Sequence, residues 1–377
     1  MQAPRSILSQ ITAALYPSEF SRCAQLFPMQ RPPRGLTAYD QFLALIFGQL
    51  TYRESLRDIV CCLQAKGTSI YHLGFRGRMT RTNLAYANHH RDWRVFRAAA
   101  QILMRRAAHL YQDDPSDPDL PRVAFALDSS LIALSLDLFP WGFYARSSHS
   151  AMKLHLMLSL QGNLPAWAAL TEADFPDLKL LDKIPVIAGA YYIMDRGYLD
   201  FLRLFRLHRA GSFFVVRNRR DVKLRVVSSR PVDKNTGLRC DQTICLTSNW
   251  SVRSYPEYLR RIVFCDSQND LRLALLTNQF ELPALVITEL YRNRWQIELF
   301  FKWIKTILNC RHWLAESPGG VQIQIYCVLI ASLLLMLWTG QRPNKRMVES
   351  LQWYWTGMAT EEDLVTLLQR AGCKKKS

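Results

Sequence analysis

Hydrophobic positions change period along this chain, and each change marks a different kind of element. Tyr39-Asp-Gln-Phe-Leu-Ala-Leu-Ile-Phe-Gly-Gln-Leu50 is apolar at helical spacing, and Arg94-Val-Phe-Arg-Ala-Ala-Ala-Gln-Ile-Leu-Met-Arg-Arg106 follows the same rule. Residues 1 to about 112 are therefore expected to be helical. The run Asp113-Asp-Pro-Ser-Asp-Pro-Asp119 reads as a linker or exposed loop. Beyond it, strand-like runs at 123–127, 151–160 and 165–171 precede a short helical stretch near 177–184. A strand reaching Asp195, a helix at 199–209 and the strand Ser212-Phe-Phe-Val-Val-Arg217 come next. From about 220 to 280 the chain turns β-rich, with strand composition in Leu224-Arg-Val-Val227, Thr243-Ile-Cys-Leu-Thr247 and Arg261-Ile-Val-Phe-Cys265.

Helical periodicity returns at Tyr291-Arg-Asn-Arg294-Trp-Gln-Ile-Glu298-Leu-Phe-Phe-Lys302-Trp-Ile-Lys305. One continuous helix would place Tyr291, Arg294, Glu298, Lys302 and Lys305 on a single face, because residues three and four apart are neighbours. Ile297, Phe300, Ile304, Ile307 and Leu308 would form the opposite, core-facing stripe. A face carrying one carboxylate among cations and a phenol can bind a metal and a phosphate together. It is equally the pattern of an ordinary amphipathic helix, whose Arg294/Glu298 and Glu298/Lys302 neighbours would each add only about 0.2–0.5 kcal/mol. Further on, Ile325 to Trp338 is continuously apolar, but its 14 residues fall short of a bilayer span of about 20. A buried core helix packed behind the Tyr291–Lys305 helix is the expectation.

Two more carboxylates bear on that choice. Asp128 closes the apolar run Arg122-Val-Ala-Phe-Ala-Leu-Asp128-Ser-Ser130, and Asp195 closes Ala190-Tyr-Tyr-Ile-Met-Asp195-Arg-Gly-Tyr198. Open α/β sheets present their sites outside the carboxyl ends of their strands. Each aspartate alone is equally a loop-start or helix-capping residue. Together with Glu298 they make a constellation.

At these residues the sequence resembles the DDE transposases of bacterial insertion sequences, in the insertion-sequence-four-like branch marked by Y-x2-R-x3-E-x6-K. Tyr291, Arg294, Glu298 and Lys305 match every position of that signature. Asp195-Arg-Gly-Tyr198 resembles the family's second-aspartate motif. Asp128-Ser-Ser130 resembles the first, which usually reads Asp-Ser-Thr, so Ser130 departs from it. Lys153-Leu-His155, Asn83-Leu-Ala-Tyr-Ala-Asn88 and Arg91-Asp-Trp-Arg94 are also similar, and the likeness runs from about Ile7 to about Trp338.

The resemblance implies an α/β fold: a ribonuclease H-like catalytic domain over about 120–340, interrupted by the β-rich insertion at about 220–280. Asp195 and Glu298 are separated by 102 residues, more than one helix and one strand require, which suits such an insertion. A helical N-terminal DNA-binding region (1–112) and a helical, basic C-terminal tail (341–377) would flank it. Asp128, Asp195 and Glu298 would be the catalytic residues and the ligands of two Mg²⁺ ions, with Mn²⁺ able to substitute, acting as ligands and not as proton shuttles. Tyr291, Arg294 and Lys305 would grip phosphates near the cleaved end, with Lys302 and Arg217 as further DNA contacts. Trp250 is a candidate for stacking a flipped base, or an aromatic that packs the inserted sheet. The activity implied is cleavage at the terminal inverted repeats, through a hairpin on the transposon end in this branch, followed by strand transfer into target DNA. A homodimer in a synaptic complex and a cytoplasmic, nucleoid-associated location go with it. A metal-dependent nuclease of the same fold and a non-catalytic DNA-binding relic stay open.

Composition is consistent with a polyanionic partner. Lys and Arg total 48 against 31 Asp and Glu, a net charge of +17, and the pI is about 9.7. Arginine outnumbers lysine 36 to 12, which suits bidentate phosphate contact. In the first hundred residues Arg53, Arg57, Arg76, Arg78, Arg81, Arg91, Arg94 and Arg97 lie among Tyr52, Tyr71, Phe75 and Trp93, a mixture expected either of a DNA-reading surface or of core aromatics beneath solvated arginines. Nine scattered cysteines form no framework, which points to reduced thiols in a cytosolic protein. The first residues show no basic-then-apolar run with a cleavage site, so secretion is not expected, and no Gly-x4-Gly-Lys-Ser/Thr loop suggests a nucleotide cofactor. Lys374-Lys-Lys376 is expected to touch DNA non-specifically.

Overall fold

The computed structural model describes residues 6–110, 121, 123–135, 138–144, 149–266, 271–307 and 313–372. Its helices are α1 (Ile7–Thr12), α2 (Pro17–Leu26), α3 (Ala38–Leu50), α4 (Leu56–Gln64), α5 (Arg81–His90), α6 (Arg94–Leu110), α7 (Phe201–Arg209), α8 (Asn249–Ser254), α9 (Ala284–Asn293), α10 (Trp295–Lys302), α11 (Pro318–Thr339), α12 (Lys345–Trp355) and α13 (Glu361–Gly372). Its strands are β1 (Ala124–Leu134), β2 (Phe143–Tyr144), β3 (His149–Ser159), β4 (Leu164–Glu172), β5 (Tyr191–Met194), β6 (Phe213–Arg217), β7 (Leu224–Arg230), β8 (Leu238–Leu246), β9 (Leu259–Asp266) and β10 (Leu271–Thr277). The acidic run at 113–119 and the lysines at 374–376 lie outside the described residues. The chain forms two compact units, one of Met1–Gln112, Ile132–Met152 and Phe301–Ser377, the other of Asp113–Leu131 and Lys153–Phe300.

The first unit is built on α11. Ser317 caps its start by accepting from the Gly320 amide, Pro318 opens the first turn, and Gly340 stops it at φ 67°. Between those signals the helix is apolar on all sides and lies against α6 and α3, with α5 and α1 beside them. By length and composition it could cross a membrane, yet its most apolar window is 89% buried inside the fold, as the core helix of a globular unit would be. It packs on the N-terminal helices, where Tyr326 stacks on Trp93 at 5.8 Å, and also against the end of the signature segment, where Trp303 Nε1 donates to Ser332 Oγ at 3.1 Å. That packing also explains why the C-terminal segment falls in one unit with residues 1–112, where the expected division had set 341–377 apart. Several N-terminal candidates for DNA contact are committed internally: Arg91 is 7% exposed and donates to the Gln41 side chain, and Phe75 is core. Arg57, Arg78 and Arg81 are exposed.

The second unit is a sheet whose parallel strands are covered on both faces, while β7 is exposed. From β1 onward its order is β1-β5-β6-β10-β9-β8-β7, with β3 on the other side of β1 and β4 pairing with β3. β1, β5 and β6 are parallel, and β6 meets β10 antiparallel. Strand alternation sorts the side chains. Phe125, Leu127, Tyr192, Met194, Phe214 and Val216 pack with Leu204 and Leu207 of α7, while Ala124, Tyr191, Ile193 and Val215 pack with Ile287 and Leu290 of α9. The β-rich stretch is thus no detached domain: β10 pairs with β6, and β9, β8 and β7 extend the same sheet.

Candidate active site

Register and alternation assemble the site. Leu127 stands opposite Met194, and Met194 opposite Val216, so the next positions, Asp128, Asp195 and Arg217, lie at one level on three adjacent strands. By parity with Ala124, Tyr191 and Val215 they fall on the α9 face. Asp195 leaves its strand as expected, whereas Asp128 does not end its own, because β1 runs on to Leu134.

Above them the expected single helix is broken. Arg294 closes α9, and the bonds Arg294 N–H to Tyr291 O (3.1 Å) and Ile297 N–H to Arg294 O (3.0 Å) tighten the junction to 3₁₀ spacing before α10 begins. A π turn then occupies Trp303–Ile307. Ile287 and Leu290 are fully buried, each contributing about 1.5–3 kcal/mol to seating α9. Ile297, Phe300 and Ile304 are buried as the stripe predicts, while the Ile307 side chain and Leu308 lie outside the described residues.

Tyr291 and Arg294 each meet an aspartate, and Glu298 joins them through Arg294. The Tyr291 hydroxyl donates to Asp195 Oδ1 at 3.3 Å. Arg294 bridges two acids, with Nη2 2.7 Å from Glu298 Oε1 and Nη1 3.7 Å from Asp128 Oδ2, and its guanidinium lies 5.7 Å from the Tyr291 ring centre. Its Nε is buried with no partner among the described residues. A buried donor left unpaired costs about 1–3 kcal/mol, so an acceptor brought to it would be favoured.

The electrostatics follow from crowding acids in a half-buried place. Burial pushes the Asp128 carboxyl up to about 6; the Ser129 amide and Arg294 oppose this, and Glu298 and Asp195 add to it. Burial likewise raises the Tyr291 phenol to about 12, against the pull of Arg294 and with Asp195 adding to it; nearby Arg217 pulls it down. Arg294 keeps its charge firmly, since Tyr291, Glu298 and Asp128 outweigh its own desolvation. Lys302 is exposed and makes no ion pair among the described residues, so the expected Glu298/Lys302 neighbour pair is absent. Lys305 is half-buried in the π turn. Trp250, on α8, is 61% exposed and makes no hydrogen bond or ring contact among the described residues.

Sequence reasoning named Lys153 and His155 by resemblance alone and missed Asp177, which they meet on the other face of β1. Ser129 Oγ donates to Asp177 Oδ1 at 2.7 Å, Lys153 Nζ lies 3.2 Å from the same oxygen, and the buried His155 ring lies 3.9 Å from it. Asp177 opens a 3₁₀ turn after β4, and nothing in its spacing marks it.

Three carboxylates are hard oxygen donors and suit a divalent cation with bound phosphate and water. Among the described residues no three His, Cys, Asp or Glu side chains converge closely enough to share an ion as they stand. The donor chemistry fits, and Arg294 lies against two of the acids.

Comparison with known proteins sets the class. A family model described as the transposase DDE domain matches residues 119–334, more than half of the chain, and a domain of unknown function, DUF4372, matches 4–76. The chain belongs to the DDE transposase family. It is 33% identical over 190 residues to y4zB of Sinorhizobium fredii, named as a transposase (49% of this chain, 53% of that one). It is 27% identical over 233 residues to a Geobacillus stearothermophilus protein named as the transposase of insertion sequence element IS5377 (61% and 60%). The chain therefore spans between half and three fifths of these curated relatives. A solved piggyBac transposase synaptic complex with hairpin DNA aligns over 98% of this chain and 82% of its own at 9% identity and a TM-score of 0.41, too distant to bear on fold or site. Family membership carries with it a general dependence on divalent metal.

Proposed function

We propose that this protein is the transposase of an insertion sequence, which binds the element's terminal inverted repeats, cleaves DNA at the ends and joins them to target DNA. The observation that carries the reading is that Arg294 reaches both Asp128 and Glu298 while Tyr291 of the same segment reaches Asp195, with Arg294 Nε unpaired among the described residues. In this reading β4-β3-β1-β5-β6 is a ribonuclease H-like core, and β7 to β10 are the insertion between its last strand and the glutamate helix.

Asp128, Asp195 and Glu298 are the residues that would hold divalent ions, most simply two Mg²⁺. Such ions, when bound, activate an attacking water or 3′-hydroxyl and stabilise the leaving oxygen. The chain's own groups do the positioning. Arg294 offers Nε to a phosphate oxygen, a charge-assisted bond stronger than a neutral one. Tyr291 keeps its proton near neutral pH, as its raised pKa of about 12 requires, and steadies Asp195 as a donor. Arg217, level with the two aspartates, adds a second cation for the DNA backbone. Lys302 and Lys305 extend that phosphate-binding role along the chain, and Trp250, exposed on α8, is the candidate stacking aromatic. Two ends brought together imply a homodimer on DNA, acting in the cytoplasm at the nucleoid.

The deciding experiment incubates the purified chain with labelled DNA carrying its element's end, with Mg²⁺ or with EDTA, beside Asp195→Asn. Metal-dependent nicking at the end followed by a joined or hairpin product, absent from the variant, is the expected result. Nicking without joining would assign a nuclease. Binding without cleavage under every metal tried would assign a relic.

A further inference from the structure

Asp128 is held from behind. Alternation along β1 turns Ser129 to the face opposite Asp128, beside the Asp177–Asp182 turn and the buried Tyr198. There its hydroxyl donates to Asp177 Oδ1 at 2.7 Å, while on the other side its amide donates to Asp128 Oδ1 at 2.8 Å. One residue thus joins the reacting face of the sheet to a polar anchor on the back.

The anchor is itself fixed. Lys153, 13% exposed, pairs with Asp177 at 3.2 Å and donates to the Phe175 carbonyl at 2.8 Å, so the carboxylate is bound from two directions. His155, with no side-chain exposure, stands 3.9 Å from the same oxygen and is tied through Nε2 to Thr171 Oγ1 at 2.8 Å. Lys153 and His155 are shielded while the Asp177 side chain is 38% exposed, so its place is set by these charge-assisted contacts and not by burial.

We infer that Asp177 is a positioning residue: through Ser129 it sets the orientation in which Asp128 meets a divalent ion. The inference rests on the reading of Asp128 as a metal ligand in a transposase. Groups that orient a ligating carboxylate contribute about 10–100-fold in metal affinity or activity. Because Ser129 and Asp177 act as one unit, their losses should not multiply.

The test measures Mn²⁺ binding by electron paramagnetic resonance, and single-turnover nicking of pre-bound end DNA. It compares wild type, Ser129→Ala, Asp177→Ala, their double variant, Ser129→Thr and Asp177→Asn. Ser129→Ala and Asp177→Ala should each weaken Mn²⁺ binding and slow nicking about 10–100-fold, with metal-free DNA binding unchanged. The double variant should fall no further than the worse single one. Ser129→Thr keeps the hydroxyl and Asp177→Asn keeps an acceptor, so both should recover most of the loss. Wild-type Mn²⁺ affinity in Ser129→Ala and Asp177→Ala, or multiplied losses in the double variant, would overturn the inference. Should Asp177→Ala fail to fold, Ser129→Ala, which removes a single hydroxyl, decides alone. A wild type that binds Mn²⁺ and never cuts would sink the transposase reading, and the Mn²⁺ comparison would still judge the anchor.

Discussion

At the scale of single residues, the site is poised by opposing costs. Glu298→Gln keeps the shape of α10 and an acceptor for Arg294 while removing a negative charge from the proposed triad. Cleavage should drop below detection and end binding should stay within about threefold of wild type, as a gel-shift and nicking pair would register; retained cleavage would remove Glu298 from the triad. Two buried groups also pull stability in opposite directions as pH changes. His155 is depressed from 6.5 to about 4 by burial, so the unfolded chain binds its proton first and stability is lost as pH falls from 6.5 towards 4, by about 3 kcal/mol. Asp128 is raised from 3.8 to about 6, so its contribution is present at low pH and is lost as pH rises through 6, by a similar amount. In metal-free wild type the two nearly cancel. Asp128→Asn removes one of them, and its urea midpoint should fall steeply between pH 6.5 and 4.5 where wild type stays nearly level. Parallel curves for the two proteins would contradict these assignments.

At the scale of elements, the sequence was legible where pattern alone decides and silent where tertiary contact does. Strand runs ending at Asp195 and Arg217 and the helix between them follow from alternation and capping, since Asp200 caps α7 by accepting from the Arg203 amide. The break at Arg294 and the π turn at 303–307 were not legible, because Trp295, Phe300 and Lys302 carry no helix-breaking signal and the local residues favour a continuous helix. Nor was the fusion of the β-rich stretch with the main sheet, which depends on β10 reaching β6 across more than fifty residues. A buried ion pair fastens that extension to the site. Arg260 binds both oxygens of Asp241 at 2.8 and 2.7 Å and donates to the carbonyls of Gln279 and Leu282, the residues that lead into α9. Both side chains are under a tenth exposed. Arg260→Ala leaves the buried Asp241 carboxylate with only the partly exposed Arg230 at 3.8 Å, and should cost about 3 kcal/mol in chemical denaturation. The Arg260→Met/Asp241→Leu pair, which removes both charges, should recover most of it; a double variant as unstable as the single one would show that the carbonyl contacts matter more than the pair.

At the scale of the whole molecule, charge makes the broadest claim. A surplus of 17 cations predicts strong, salt-sensitive binding to nucleic acid but does not say which cations touch it. Part of the answer comes from subtraction in the first unit. Arg91 is buried on Gln41, Arg94 is paired with Asp92, and Arg76 lies 3.9 Å over the Tyr71 ring while donating to two carbonyls. Composition could not separate these from Arg57, Arg78 and Arg81, which are exposed and make no ion pair among the described residues. Each phosphate contact contributes about 0.9 to the slope of log affinity against log salt on duplex DNA. If these three arginines meet the element's end, changing all of them to Gln should flatten the measured slope by roughly three units and weaken binding most at low salt. Chain stability should stay within about 0.5 kcal/mol of wild type per site, as for surface changes generally. An unchanged slope with an unchanged melting curve would move the DNA-binding surface away from these arginines and leave the cations beside the carboxylates, Arg217 and Arg294, as the chain's principal hold on phosphate.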